Sequence, residues 1–195
     1  MDPGYRSDIL RGLVPFWLQQ SVGALTQLVG RPLRWVTDHM GSQPGVPPGL
    51  LGLSDQVIVY VRGHESACRL WVVGWPPSTA IQLLRWLRMM DDQDRMPGPL
   101  SLILDRPART SALLEAGNIM AGTFFTAVAG AMNQVLIPSA PEIIIDDSAT
   151  CQARLRDLVA PEMGTWVVLV GRLLGEGLEL SQWTAVFWVD RQMDR

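Results

Sequence analysis

The stretch TSALLEAGNIMAGTFFTAVAGAM, residues 110–132, decides how this chain folds. Its alanines, leucines and phenylalanines predict one long helix with broad apolar faces. Gly117 and Asn118 interrupt the run, although glycine costs a helix about 1 kcal/mol relative to alanine and asparagine only a little less. The rest of the sequence has to explain why a helix keeps two such residues side by side.

A narrow polar stripe follows this helix. Ser111, Glu115 and Asn118 stand at positions i, i+4 and i+7, which fall on one face, and Gly122 continues the stripe. Gly117 and Gly122 would lower the rim around Asn118 and let another protein approach its amide. The same pattern is typical of the solvated face of an amphipathic helix, and helix glycines also mark close packing. The pattern alone leaves both interpretations open.

The composition favours a globular protein. The chain has 195 residues, 48% hydrophobic and 18% charged, which is enough for one domain with a core of its own. All the basic residues are arginines, and the net charge of −3 argues against nucleic acid as a partner. Cys68 and Cys151 form no metal motif and are expected to be buried, reduced thiols.

Neither a leader nor a membrane span is predicted. The start MDPGYRSDIL lacks a charged segment followed by an apolar core. Arg, Gln or Pro breaks each apolar run before it reaches the roughly 18–20 residues that cross a bilayer. The expected location is the cytoplasm. His39 and His64 lack the spacing of metal ligands, and no cofactor of the protein's own is expected.

The two halves of the chain look like one unit written twice, with the same kinds of element in a similar order. The first half, about 5–96, reads as a helix at 7–29, a strand, a β-hairpin and a helix. The second half, about 100–190, reads as the long helix, a strand, a further helix and a hairpin. The other predicted elements are the strands at 31–36, 55–63, 67–74, 165–174 and 178–190, one or two strands within 133–146, and the helices at 76–90 and 147–160.

A duplicated α+β fold follows from this repetition. We predict a single domain over 1–195, made of two pseudo-repeats related by a pseudo-twofold axis. Its long helices pack on an antiparallel sheet, since neither half could bury its apolar face alone. The polar stretch DDQDRMPGP, 91–99, is the predicted linker, and the Gly/Pro-rich stretch 41–52 is a predicted loop. Pro15 is expected to kink the first helix or to delay its start.

The stripe and the layout together resemble the CheC/CheX/FliY family of chemotaxis phosphatases, which remove the phosphoryl group from the response regulator CheY. The family pattern has an Asp or Ser, three residues, a Glu, two residues, an Asn, about twenty-two residues and a Pro. This chain has Ser111, Glu115, Asn118 and Pro141 at that spacing. LLEAGNIMAG is similar to the family's Leu-x-Glu-Ile-Gly-Asn-Ile, with Ala116 in place of Ile. The resemblance covers nearly the whole chain.

The resemblance implies a function for the stripe. The substrate would be the aspartyl phosphate of a CheY-type receiver domain, which holds its own Mg²⁺. Asn118 would position the attacking water, and Glu115 would pair with the receiver's active-site lysine. Ser111 would be accessory, and Gly117 and Gly122 would contact the partner.

The first half departs from the family pattern. Aligning the halves places three first-half residues opposite Ser111, Glu115 and Asn118, in that order: Asp8, Gly12 and Pro15. One working site, in the second half, is therefore expected. The alternative is a non-catalytic scaffold of the same fold that binds a receiver or a CheD-type deamidase. A third reading is an α+β module whose motif is accidental. Pro141 is expected to be structural, at the start of a strand.

Overall fold

The computed structural model describes residues 3–44, 55–64, 67–90, 106–159 and 164–189, with the backbone alone at 3–11 and 43–44. Helices combined with an antiparallel sheet confirm the predicted α+β class. The predicted linker at 91–99 lies outside the described residues. In chain order the described elements are α1 (Pro3–Val29), β1 (Arg34–Pro44), β2 (Asp55–His64), β3 (Cys68–Trp75), α2 (Pro77–Trp86), α3 (Pro107–Met132), β4 (Ile137–Pro138), β5 (Glu142–Asp147), α4 (Ser148–Val159), β6 (Gly164–Gly175) and β7 (Leu178–Val189).

One antiparallel sheet contains the described strands. Their order is β1-β6-β7-β3-β2, and both β5 and the two-residue β4 pair with the far edge of β2. With β5 counted at the edge beside β2, the order is symmetric. Exchanging β1 with β5, β2 with β6 and β3 with β7 gives the same order read from the opposite edge of the sheet. Two pseudo-repeats in a single domain stay a prediction, and they would require an order with this symmetry. The pairing of β3 with β7 joins the two halves at the centre of the sheet.

Both faces of the sheet are buried, which explains why its strands are apolar almost throughout. Alternate residues of β2 point into different cores, as the two-residue period of a strand requires. Val57, Val59 and Val61 belong to the core that α1, α2 and α3 cover. Ile58 and Tyr60 belong to the core that α4 covers. The long helices therefore share one face of the sheet.

The two cysteines are buried, reduced thiols, as predicted. Cys68 lies in the core beneath the long helices and Cys151 in the core beneath α4. Burial raises the pKa of the Cys151 thiol to about 11 and raises the pKa of Cys68 as well. Both thiols are therefore protonated at neutral pH and serve as small apolar core residues.

Helices α1 and α3 pack side by side and run antiparallel. The rings of Trp17 and Phe124 meet edge to face, with their centroids 5.8 Å apart. Leu28, near the end of α1, lines a groove together with Ala112, near the start of α3. A twofold axis that relates the two halves would place these helices in the same antiparallel arrangement.

The first helix is longer than predicted. It begins at Pro3 instead of residue 7, and it continues through Pro15 without ending. Proline removes one backbone hydrogen bond from a helix. Val14 and Trp17, on either side of Pro15, are both buried, and their packing on the sheet compensates for the lost bond. The expected delay of the helix start is therefore wrong.

The first strand is also longer than predicted. β1 extends to Pro44, so the loop predicted for 41–52 is wrong for its first four residues. Pairing with β6 continues from Gly41 opposite Val168 to Pro44 opposite Thr165. This long-range ladder holds residues that locally favour a turn. The proline is tolerated because β1 is the last strand in the order of the described sheet.

Helix α2 ends at Trp86, four residues before the predicted end at residue 90. The Met89 amide donates to the Leu84 carbonyl at 2.8 Å, and the Arg88 amide donates to the Arg85 carbonyl at 2.9 Å. This pair of bonds is a Schellman motif, which requires a left-handed residue and usually takes glycine there. Arg88 occupies that position with φ of 58°. An arginine is thus kept where glycine would be less strained.

Replacing Arg88 with glycine should stabilise the fold. The left-handed conformation costs an ordinary residue about 1 kcal/mol relative to glycine, so Arg88→Gly should raise the free energy of unfolding by up to that amount. Urea denaturation measures this change. The control is Arg154→Gly, because Arg154 is an exposed arginine within α4, and this variant should lose about 1 kcal/mol. An equal loss of stability in both variants would contradict the prediction.

Candidate functional site

Three of the side chains predicted for the site lie on the outer face of α3. Ser111, Glu115 and Asn118 are all exposed, whereas many of the residues between them are buried. The helix starts with Pro107 in its first turn, a position that suits proline, and ends at the left-handed residue Asn133. It is continuous through the motif, so Glu115 and Asn118 lie one turn apart on the same surface.

The polar groups of this stripe have no bonding partner within the described part of the chain. Among the described residues, no hydrogen bond or ion pair involves the Glu115 carboxylate, the Asn118 amide or the Ser111 hydroxyl. Other polar side chains of α3 are engaged within the fold. The Thr123 hydroxyl donates to the Ile119 carbonyl at 3.0 Å, for example. Glu115 and Asn118 are therefore free to bind a group from another molecule.

Gly117 faces the opposite way, toward the sheet. It is buried, and a Cβ added to it would lie 2.8 Å from the Val59 Cβ of β2. Glycine at this position lets the helix approach the strand closely. The expectation that Gly117 lowers the rim around Asn118 for a partner is wrong, because Gly117 is covered by the protein's own core. Close packing, the other interpretation of the sequence, accounts for this glycine.

Two other glycines leave open space beside Asn118. A Cβ added to Gly122 of α3 or to Gly23 of α1 would meet no atom within 4 Å. Helices α1 and α3 run antiparallel, with Trp17 beside Phe124 and, further along, Leu28 and Ala112 lining the same groove. Gly23 consequently lies approximately level with Asn118. Gly122 and Gly23 therefore leave the surface around the Asn118 amide open to a partner. A partner contact at Gly122 stays a prediction.

A groove adjoins the stripe on the side of Glu115. It has a volume of about 440 Å³ and lies between the end of α1, the end of α2 and the first turns of α3. Its lining includes Leu28, Trp86, Arg88, Met89, Ala112 and Glu115. The sequence analysis did not place Arg88 or Met89 in the site. No local pattern brings the end of α2 beside α3, because that contact forms only when the three helices pack.

At the two positions aligned with Glu115 and Asn118, the corresponding surface of α1 has neither an acid nor an amide. Gly12, aligned with Glu115, is exposed, and Pro15, aligned with Asn118, is half-buried. The side chain of Asp8, aligned with Ser111, lies outside the described residues. Phe16 is 60% exposed on this surface. The first half therefore has no counterpart of the Glu115 carboxylate or the Asn118 amide at these two positions.

Pro141 lies at the start of β5, as expected for a structural role. It is half-buried and precedes Glu142, which accepts a hydrogen bond from the Tyr60 hydroxyl at 2.6 Å. Burial, and then the hydrogen bond to Glu142, raise the pKa of Tyr60. These contacts attach β5 to β2, the strand on which Gly117 packs.

The length and hydropathy of α3 alone would allow it to cross a membrane. Half of the apolar window in Pro107–Met132 is buried inside the protein, as in the core helix of a globular domain. Glu115 and Asn118 interrupt the exposed part. Within the described ranges, no cluster of three or more His, Cys, Asp or Glu side chains could hold a metal ion.

Part of the chain matches a known family by sequence. Residues 109–145 match the model of the CheC-like family, and this segment contains the whole motif from Ser111 to Pro141. No curated protein matches the chain.

Solved structures of chemotaxis and flagellar proteins share the fold. FliY from Thermotoga maritima is 16% identical, with a TM-score of 0.74 over 95% of this chain and 91% of that one. FliM from H. pylori, in a complex with SpeE, is 9% identical, with a TM-score of 0.64 over 95% and 88%. CheX from Borrelia burgdorferi, in a complex with CheY, BeF3 and Mg²⁺, is 15% identical, with a TM-score of 0.50 over 88% and 95%. The neighbours confirm the fold and, with the matched segment, the resemblance to the CheC/CheX/FliY family.

The two helix glycines should respond oppositely to alanine. Gly117→Ala forces a methyl group into Val59 and should lower the free energy of unfolding by about 1–3 kcal/mol. Gly122→Ala meets open space and should raise it by up to about 1 kcal/mol. Thermal and urea unfolding of the two variants measure the difference. Equal effects would mean that α3 does not approach β2 at Gly117.

Proposed function

We propose that this CheC-like chain accelerates hydrolysis of the aspartyl phosphate of a CheY-type receiver domain in the cytoplasm. One observation supports this most directly. Glu115 and Asn118 are exposed, uncommitted and one turn apart, within the segment that matches the CheC-like model. The substrate would bring its own Mg²⁺, so no cofactor of this chain is required.

The chemistry suits an amide on a rigid helix. An aspartyl phosphate is a mixed anhydride, and its hydrolysis requires a water molecule in line with the bond that breaks. Phosphoryl transfer depends mainly on positioning and on charge stabilisation. The Asn118 carbonyl can accept a hydrogen bond from that water while its NH₂ group donates to a neighbouring oxygen. A neutral amide also avoids the repulsion that a carboxylate would exert on the phosphoryl oxygens.

Glu115 is assigned a docking role. A carboxylate beside a negatively charged phosphoryl group is a poor general base, because like charges repel. By resemblance to the family, Glu115 pairs with the active-site lysine of the receiver. One turn from Asn118, it would anchor the helix and set the depth to which the amide enters the receiver. Ser111, one turn further back, would contact the edge of the interface.

The structural neighbours support a receiver as the partner. The CheX neighbour from Borrelia burgdorferi was crystallised in a complex with CheY. We infer a single site in the present chain, on α3. At the motif positions of α1, Gly12 has no side chain to bind a lysine and Pro15 has no amide to orient a water molecule.

The second candidate is a scaffold that binds its partner without hydrolysis. Two observations favour this candidate. The motif positions of α1 hold Gly12 and Pro15 in place of a Glu and an Asn. The chain is also similar to FliM, a neighbour whose structure holds a different protein, SpeE. Its partner would be a receiver or a CheD-type deamidase. Phosphate release distinguishes the candidates, because a scaffold binds a receiver and leaves its phosphoryl group in place.

Asn118→Ala should remove the activity and preserve the fold. Alanine favours a helix over asparagine by up to about 0.7 kcal/mol, so the melting temperature should stay the same or rise. The measurement is phosphate release from a CheY-type receiver phosphorylated with phosphoramidate and Mg²⁺. Gln134→Ala is the control, since it removes an exposed amide about four helical turns away. A folded, fully active Asn118→Ala protein would contradict the mechanism.

Glu115→Gln should weaken docking more than it weakens catalysis. Losing one charge from an exposed pair raises KM several-fold and changes kcat less, because Asn118 stays in place. The wild-type KM should rise with added salt, which screens the pair, while the KM of Glu115→Gln should vary less. Steady-state kinetics at two salt concentrations test this, with Ser111→Ala as the neighbouring control of small effect. A loss confined to kcat would instead assign Glu115 to the chemical step.

A further inference from the structure

We propose that the groove between α1, α2 and α3 is the part of the docking surface that selects the receiver, with Arg88 and Met89 as its specificity residues. The proposal rests on the proposed function and deepens it. The groove and the polar stripe share Glu115, which lines one and belongs to the other. A receiver held by Glu115 therefore covers the groove as well.

Arg88 is retained in an unfavourable conformation. It closes the Schellman motif of α2 at φ of 58°, where glycine is the usual residue. Residues kept in a strained backbone position point to a functional use of the side chain. The Arg88 side chain is exposed, and within the described part of the chain no ion pair engages its guanidinium. Its charge is available to a partner.

Met89 provides an apolar contact next to that charge. Its side chain is 43% exposed, and it lines the groove with Leu28, Trp86 and Ala112. Methionine is unbranched and flexible, so it adapts to the surface of a partner. The groove thus has an apolar floor and two charges of opposite sign on its lining, the guanidinium of Arg88 and the carboxylate of Glu115.

The charges of the groove indicate what occupies it. A receiver that holds Mg²⁺ does so through carboxylates, because Mg²⁺ prefers oxygen ligands. The proposed receiver surface therefore carries a lysine and carboxylates close together. Glu115 matches the lysine, and Arg88 matches a carboxylate at the rim of the receiver site. The occupant that fits is an apolar receiver side chain flanked by that carboxylate.

The test compares variants of Arg88 and Met89 by steady-state hydrolysis and by direct binding. The probe is a CheY-type receiver phosphorylated with phosphoramidate and Mg²⁺. Arg88→Gly relieves the backbone strain, so lost activity in this variant cannot arise from unfolding. Arg88→Lys keeps the charge. Met89→Glu is matched by Met40→Glu, because Met40 is 46% exposed on β1, outside the groove.

We expect Arg88→Gly and Met89→Glu to raise KM five- to tenfold with kcat within twofold of wild type. Arg88→Lys should recover most of the KM, and Met40→Glu should match wild type. Unchanged KM values in Arg88→Gly and Met89→Glu, with Asn118→Ala still inactive, would overturn the proposal that the groove selects the receiver. The proposed function would not be affected by that result.

The binding measurement separates the remaining outcomes. A wild-type protein that binds the receiver without releasing phosphate would refute the proposed function. The proposed role of the groove in selecting the receiver would then still be supported if Arg88→Gly and Met89→Glu weaken binding five- to tenfold. It would be overturned if binding is unchanged in these variants. Absence of wild-type binding to the receiver, including the case in which a CheD-type deamidase binds instead, would overturn both proposals.

Discussion

The contact of Gly117 with Val59 is the constraint on which the site depends. Without a side chain at Gly117, α3 lies close on β2, and the rotation of the helix about its axis is set. Each helical residue advances the direction of its side chain by about 100°. Ser111, Glu115, Asn118 and Gly122 therefore point roughly 100–160° away from Gly117. The packing that buries the glycine turns the polar stripe toward solvent.

The symmetry of the sheet contrasts with the asymmetry of the surface. The strand order is symmetric about the central β3–β7 pair, and α1 and α3 pack on the same face as an antiparallel pair. Buried positions are held to this arrangement by the core that they share. Exposed positions carry no such constraint, so α1 can lack the motif residues and still keep its place in the fold. In the function that we propose, one half supplies the chemistry and both halves supply the support.

Local patterns predicted the elements best where the chain is strongly periodic. The long helix and the hairpin strands of each half follow from the sequence. Prediction failed where distant partners decide. β1 continues to Pro44 because β6 pairs with it. Gly117 is buried because β2 lies beneath it, and a helix pattern cannot show which glycine faces a strand.

The sequence by itself determined the α+β class, the order of the main elements and the one-face spacing of Ser111, Glu115 and Asn118, since helical geometry makes that spacing local. Only the tertiary structure decided which face of α3 is exposed, where β1 ends and which surface adjoins the stripe. The groove of Arg88 and Met89 illustrates the reason. Its walls come from α1, α2 and α3, which are far apart in the chain and meet only when their apolar faces are buried on one sheet.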